Sequence, residues 1–566
     1  MGLFVFSISR LKTITVMVFT ILISACGSES ENGPDITIIG ENPVTLIQGY
    51  TYVDDGATAI DANGNAVELS IRSDLDIQTP GDYTITYKAV DEDGDSSKAH
   101  RSIIVVPARP FITTWKFNGY GETPDLQARI GTWGDGYDYQ VDWGDGQTDS
   151  GVKGDIAHTY EEAGTYTVAI TGDFPQTYFD DGASTCKNLA SIEQWGDIQW
   201  KSMRQAFYQC LNFSINASDA PNLTQVTDMS YAFYLSSINE GIGNWDVSNV
   251  TNMSNMFNRA YWFDGDIGNW DVSNVTNMEK MFNSARAFNQ DINSWDVSSV
   301  TDMTYMFYGT ALFNQNLNGW DVSLVTDMSH MFHSSAFNQE IGNWNVSSVT
   351  DMNHMFYGTR VFNQAIGNWD VSSVTDMSVM FFWALKFNQN INNWDVSSVT
   401  TMEFMFYKAR EFNQPLNNWD VSSVTTMRRM FEEAELFNQP LNNWDVSSVT
   451  TMERVFSRAK AFNQPLNNWD VSSVTSMEEM FSYALAFDQD IGAWDISSVR
   501  DFSFMISEKL STENYDALLI GWSGKNVQES RFFDADLCTY STGAQAARDI
   551  LVDGYGWHID DAGLEQ

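Results

Sequence analysis

Phe288-Asn-Gln-Asp-Ile-Asn-Ser-Trp295-Asp-Val-Ser-Ser-Val300-Thr-Asp-Met303-Thr-Tyr-Met306-Phe307 is one copy of a phrase that this chain repeats about eleven times. Its Trp recurs at 245, 270, 295, 320, 344, 369, 394, 419, 444, 469 and 494. The period is 25, with one step of 24 ending at Trp344. Such a period marks a stacked array, in which each unit buries its apolar residues only against its neighbours. Ile292, Trp295 and Val297 alternate with polar residues, as in a short half-buried strand. Val300, Met303, Met306 and Phe307 are spaced like one face of a helix. Thr276-x-x-Glu279, Thr400-x-x-Glu403, Thr450-x-x-Glu453 and Thr475-x-x-Glu478 read as capping boxes opening that helix. One strand and one short helix per coil is the expectation.

The recurring WDVSSVTDMxxMF and AFNQxIxNWDVS resemble the BspA-type leucine-rich-repeat surface proteins, and within them the mycoplasma-lipoprotein-associated repeat family. The resemblance covers roughly residues 186–505. It implies a bacterial cell-surface α/β leucine-rich-repeat solenoid, associated with adhesion to host components or other cells.

The 566 residues hold several domains. The formal net charge of −44 argues against nucleic acid and anionic lipid as partners, since both need basic patches. Residues 1–26 read as a lipoprotein signal peptide: Arg10 and Lys12, an apolar run to Ile23, then Ile23-Ser24-Ala25-Cys26, with Cys26 as the lipidated residue. The lipid would attach the protein to the membrane without a spanning helix. Gly27 after the lipobox, by resemblance to Gram-negative lipoproteins, points to the outer membrane. Residues 27–34 form a polar tether.

Residues 35–107 read as an all-β module resembling a bacterial immunoglobulin-like domain, through Tyr52-Val-Asp-Asp-Gly-Ala57 and Thr79-Pro-Gly-Asp-Tyr83. Asp91, Asp93 and Asp95 suit either a hairpin turn or a Ca²⁺ site. Residues 110–180 form a second all-β module. Its Val141-Asp-Trp-Gly-Asp-Gly146 and His158-Thr-Tyr160 resemble the PKD-type sandwich. Both modules look like spacers. Residues 181–505 are the repeat, with a degenerate entry that lacks a Trp near 220. Residues 506–566 lose the repeat and read as a C-terminal cap. The fold expectation is therefore multidomain: two all-β sandwich modules, then an α/β leucine-rich-repeat-like solenoid of about 25-residue repeats.

No residues are expected to be catalytic. The Asp column after Trp (Asp246 to Asp495) suits either a Ca²⁺ ladder or side-chain acceptors for the following turn. The Asn column, Asn289 to Asn463, reads as an internal hydrogen-bond ladder. His330, His333 and His354 fall close enough together to raise a zinc reading, although their columns vary freely. The candidate ligand-binding surface is the variable column between the two Met positions, including Tyr305, His330, His354, Phe404, Arg429 and Arg454. Its partner is an extracellular protein or glycan. A purely structural stalk or surface-layer component and a carbohydrate-active enzyme are the alternatives.

Cys186 and Cys210 lie one repeat apart, at equivalent places in adjacent coils, within the reach of a disulfide. Cys538 lies at the far end of the repeat.

Overall fold

The computed structural model describes residues 32–118, 126–178 and 185–565. Cys26 and the lipobox fall outside the described residues. The chain divides into two compact units, with the boundary at Ala108/Arg109.

The first unit carries β1 (Asp35–Ile38), β2 (Val44–Ile47), β3 (Ala57–Ile60), β4 (Leu69–Ser73), β5 (Gly81–Val90) and β6 (Ser96–Val106). A four-stranded sheet runs β2-β6-β5-β4, and β1 pairs with β3. The alternation of β5 and β6 places Ile85, Tyr87, Ile103 and Val105 inside. Arg101 is buried there, paired with Asp54 at 2.9 Å and donating to the carbonyls of Ile39, Glu41 and Gly56. A buried cation needs that full set of acceptors. Asp91 accepts the Asp95 amide at 2.8 Å, so this carboxylate serves the hairpin turn.

The second unit opens with β7 (Phe111–Phe117), β8 (Gln127–Ile130), β9 (Asp138–Asp142), β10 (Thr148–Val152), β11 (Ile156–Thr159) and β12 (Gly164–Asp173). His158 stacks on Trp143 at 4.9 Å and meets Asp145 at 2.7 Å, which ties the second motif of this sandwich to the WGDG turn. Next come β13 (Leu189–Gln194) and β14 (Ser214–Ile215), which belong to the first coils of the repeat. They extend the sandwich sheet, whose order is β10-β9-β12-β7-β13-β14. The second module is thus no separate spacer, because its sheet continues into the repeat.

The α/β leucine-rich-repeat solenoid expected from the sequence does not form. Strand makes up 22% and helix 5% of the structure, and past β14 the coils from Trp245 to Trp494 hold neither the helix nor the extended strand that such a coil needs. Its backbone is a succession of turns. In one coil the N–H groups of Tyr305, Phe307 and Gly309 donate to the carbonyls of Ser329, Met331 and His333 in the next coil, at 3.0, 2.9 and 2.7 Å. Between them, Met306, Tyr308 and Thr310 donate three residues back, to Met303, Tyr305 and Phe307. Alternate amides therefore bond along the stack, where a helix would bond every amide four residues back. A segment this short gains little from helix nucleation, so bonds to the neighbouring coil win. Single parallel bridges link each coil to the next, from Asp228 through Asp302, Asp351 and Thr426 to Asp501.

Two residues per coil hold left-handed backbone: Tyr305 and Gly309 in one coil, His330 and Ser334 in the next, and Val379 and Trp383 further on. A β-branched residue at φ 63° is a true outlier, and it persists because bonds to both neighbouring coils fix the chain path.

The expected capping boxes are absent for the same reason. The Thr276 and Thr400 hydroxyls donate to Thr251 and Thr375 carbonyls one coil back, each at 3.2 Å. The stack interior is as dense as the repeat predicts: Ile292, Trp295, Val297, Val300, Met303, Met306, Phe307 and their equivalents are 0–4% exposed.

The far end is closed by α1 (Thr512–Ser523), β15 (Phe532–Tyr540), α2 (Gln545–Asp549) and β16 (His558–Leu564). Ser511 caps α1, which buries Tyr515, Leu518, Leu519 and Trp522. Phe502 bridges to Phe533, and β15 pairs with β16 in parallel, so the cap continues the inter-coil ladder.

Candidate functional site

The repeat divides its residues by role. Each Asp of the column after Trp accepts the amide two residues on, as Asp296 does from Ser298 at 3.1 Å. Asn345 does the same for Ser347. Hydrogen bonds from the Ser hydroxyls hold the Asp271 and Asp370 carboxyls below their usual range. The Asn column forms a true ladder: the backbone amides of Asn314, Asn338 and Asn363 each donate to the side-chain oxygen of the preceding Asn, at 3.0, 2.8 and 2.9 Å. These polar columns are spent on structure. The turn segment from Met303 to Phe313 and its equivalents carries outward residues that vary from coil to coil.

The predicted ligand column lies on that segment, at the first left-handed position of each coil. Tyr305, His330 and His354 are brought together, with ring centroids 4.1 and 4.2 Å apart and nearly parallel. A second column runs beside it through Tyr308, His333, Tyr357, Phe382 and Tyr407, at steps of 4.1–4.5 Å. Ring faces in these stacks cover one another and only edges reach the surface, so a sugar ring has no face to lie on. Val379 interrupts the first column before Phe404, and Arg428 and Arg429 sit over the Phe404 ring at 5.6 and 5.4 Å.

The arginines predicted to bind ligand are already engaged. Arg429 reaches Glu453 at 3.5 Å and Glu432 at 3.6 Å, and Arg454 reaches Glu479 at 2.6 Å and Glu478 at 3.4 Å. Glu432 is buried, and that burial pushes its carboxyl up.

Burial pushes the imidazoles down, to about 3 for His330 and about 4 for His333, with the nearby His354 adding to both. Their Nδ1 atoms are buried without partners. Stacked parallel rings aim their lone pairs side by side, whereas a tetrahedral zinc site needs them convergent. Among the described residues no group of three metal-ligating side chains forms.

Sequence reasoning passed over the second left-handed column and the loop that follows it. There Arg259, Arg286, Arg360 and Arg458 are exposed. Each lies over a ring of an adjacent coil: Tyr234 at 6.0 Å, Tyr261 at 5.2 Å, Trp383 at 5.3 Å and Tyr483 at 5.0 Å. Trp262, Leu312 and Val361, equivalent residues of three coils, are 75, 60 and 48% exposed. A signal was present in the sequence. All twelve Lys and Arg between Trp245 and Val499 lie in the Met-to-Phe segments and none in the NWDVSS segments.

Cys186 and Cys210 are joined, with Cα atoms 5.1 Å apart, and Cys538 is a buried free thiol. No described helix is long and apolar enough to cross a membrane.

The family described as Mycoplasma protein of unknown function, DUF285, matches residues 177–237, 227–341, 332–440 and 415–518, well over half of the chain. The chain belongs to the DUF285 family. In this DUF285 chain the first unit matches the bacterial surface protein Ig-like domain over residues 36–105. A domain of this kind is consistent with a cell-surface location. No curated protein matches it. Among solved structures, it is similar to a lipoprotein from Bacteroides thetaiotaomicron at 21% identity, covering 28% of this chain and 71% of that one, with a TM-score of 0.12.

Proposed function

We propose that this surface protein binds an extracellular partner, without catalysis, through the turn face of its repeat. One observation carries the reading. A buried frame of Trp, Met, Phe and Asn ladders presents, coil after coil, a turn segment whose exposed residues differ in charge, size and aromaticity. Binding surfaces are commonly made by such variable positions on a rigid scaffold. The resemblance to BspA-type surface proteins supports adhesion as the purpose. Attachment to the outer membrane by a lipid on Cys26 belongs to the same proposal. The Asp columns, spent as turn acceptors, lend no support to paired-acid hydrolysis.

The test is adhesion of the purified full chain to intact bacterial and host cells. The variant Trp262→Ala/Leu312→Ala/Val361→Ala changes only exposed side chains, so its melting temperature should hold while adhesion falls. Undiminished adhesion would refute the assignment of the face.

A further inference from the structure

The exposed arginines of the turn face are unusual in so acidic a chain. With 74 acidic residues available, Arg259, Arg286, Arg360 and Arg458 have no carboxylate partner among the described residues. Other cations of the same face do: Lys280 with Glu279, Lys408 with Glu433, Arg410 with Glu435, Arg428 with Glu453, and Lys460 with Glu435. The unpaired four rest instead on aromatic rings. A ring beneath a guanidinium covers one face, restrains the side chain, and leaves the N–H fork turned outward. The ordering cost of a bidentate contact is thereby partly met before any partner arrives. Beside these arginines runs the apolar ridge of Trp262, Leu312 and Val361, with the half-buried Ala287 and Ala336 filling the coils between.

Resting on the proposed function, we infer that the partner is a protein segment carrying carboxylates interspersed with apolar side chains: acids on the four arginines, apolar groups on the ridge. Charge complementarity selects the acids. The ridge selects a protein over a polysaccharide, which has no apolar side chains to offer. The net charge of −44 argues the same way. A long polyanion would meet repulsion beyond the arginine strip. A segment lying along the arginine strip interacts only with charges within about one Debye length of it, roughly 8 Å at physiological salt.

The probes are short synthetic peptides of Glu and Leu, the same peptides with Gln or Lys in place of Glu, and a heparin fragment. Each is titrated against the full chain by fluorescence anisotropy. The Glu peptide should bind at least tenfold more tightly than the Gln peptide. The variant R259Q/R286Q/R360Q/R458Q should lose at least tenfold of that binding at an unchanged melting temperature. Equal affinity for the Glu and Gln peptides, preference for the Lys peptide or for heparin, an unaffected arginine variant, or no binding by the Glu peptide would each overturn the inference. If the ridge variant loses cell adhesion while the arginine variant keeps it, the inference fails and the proposed function stands. If the ridge variant keeps adhesion, the proposed function itself fails.

Discussion

The indole N–H of Trp394 donates to the backbone carbonyl of Ile366, one coil back, at 3.0 Å. The same bond recurs from Trp270 to Trp494, and Trp522 of α1 makes it to Ile491 at 3.2 Å, closing the series in the cap. From Trp320 to Trp469 the indoles are parallel within 4° and 6.3–6.5 Å apart. Trp394→Phe keeps an aromatic ring in the stack but removes one of the two hydrogen bonds that the Ile366 carbonyl accepts, the other coming from the Trp369 amide at 3.2 Å. The expected loss is about 2–4 kcal/mol, the unmade bond adding to the lost volume. Hydrogen exchange at the amides of that coil should report it, and Trp245, whose indole N–H has no partner, should lose less on the same substitution.

Gly309 sits at φ 65°, and a Cβ there would meet only Ser284, its Oγ at 3.6 Å and its Cα at 3.8 Å, both ordinary van der Waals contacts. Space is available, so the backbone alone sets the penalty. Gly309→Val is expected to cost about 1–2 kcal/mol and Gly309→Asn clearly less, since Asn tolerates left-handed backbone. Chemical denaturation of the two variants side by side measures the difference.

The Cys186–Cys210 bond ties the first two coils together beside the shared sheet. Removing it by Cys210→Ser should destabilise this end by about 3 kcal/mol, the value for a loop of this length. Peptide mapping without reduction checks the pairing. Melting with and without reductant checks the effect, and the variant should be insensitive to reductant.

Burial lowers the pKa of His330 to about 3 and of His333 to about 4. A folded-state pKa below the ordinary value near 6.5 means that the neutral rings favour the fold. Their contribution is complete above pH 6.5 and is lost as pH falls from there toward about 4 for His333 and about 3 for His330. Lys280 and His354 add to the penalty on protonation, and Asp376 opposes it at His354. The chain should therefore melt at lower temperature as pH drops through this window. His330→Phe/His333→Phe, which keeps the ring stack, should flatten that part of the profile. Parallel profiles for the two proteins would show that the imidazoles do not titrate as described.

The core of the repeat was legible from Trp295, Met303, Met306 and Phe307, because burial follows from recurrence whatever the backbone does. The helix was not. Spacings of three, three and one arise from successive turns as readily as from a helix, and local sequence cannot say that the Tyr305 amide bonds one coil away. Of the second left-handed column, Gly309 and Gly358 were the visible trace. Tyr305, Val379 and Trp383 carry no such mark, since inter-coil bonds, not their own preference, hold them at positive φ. The candidate column lies half-buried along the turn segment, where its side chains engage those of neighbouring coils. Ring-on-ring stacking and the Arg429 and Arg454 ion pairs depend on what the next coil carries at the same place, which no single coil reveals.

Every coil from Trp369 to Trp469 makes the same indole bond and the same parallel bridge to the coil before it as to the coil after it. Removing one, or copying one, leaves each remaining rung with an identical partner. The amino-acid sequences of these coils are near-copies, so gaining or losing a whole coil leaves a chain that still folds. Coil number is thus a trait that a lineage can change in one genetic event, while the Trp195 and Trp522 ends stay fixed. Each such event also slides the surface residues of one coil past those of another, drafting new faces without new folds.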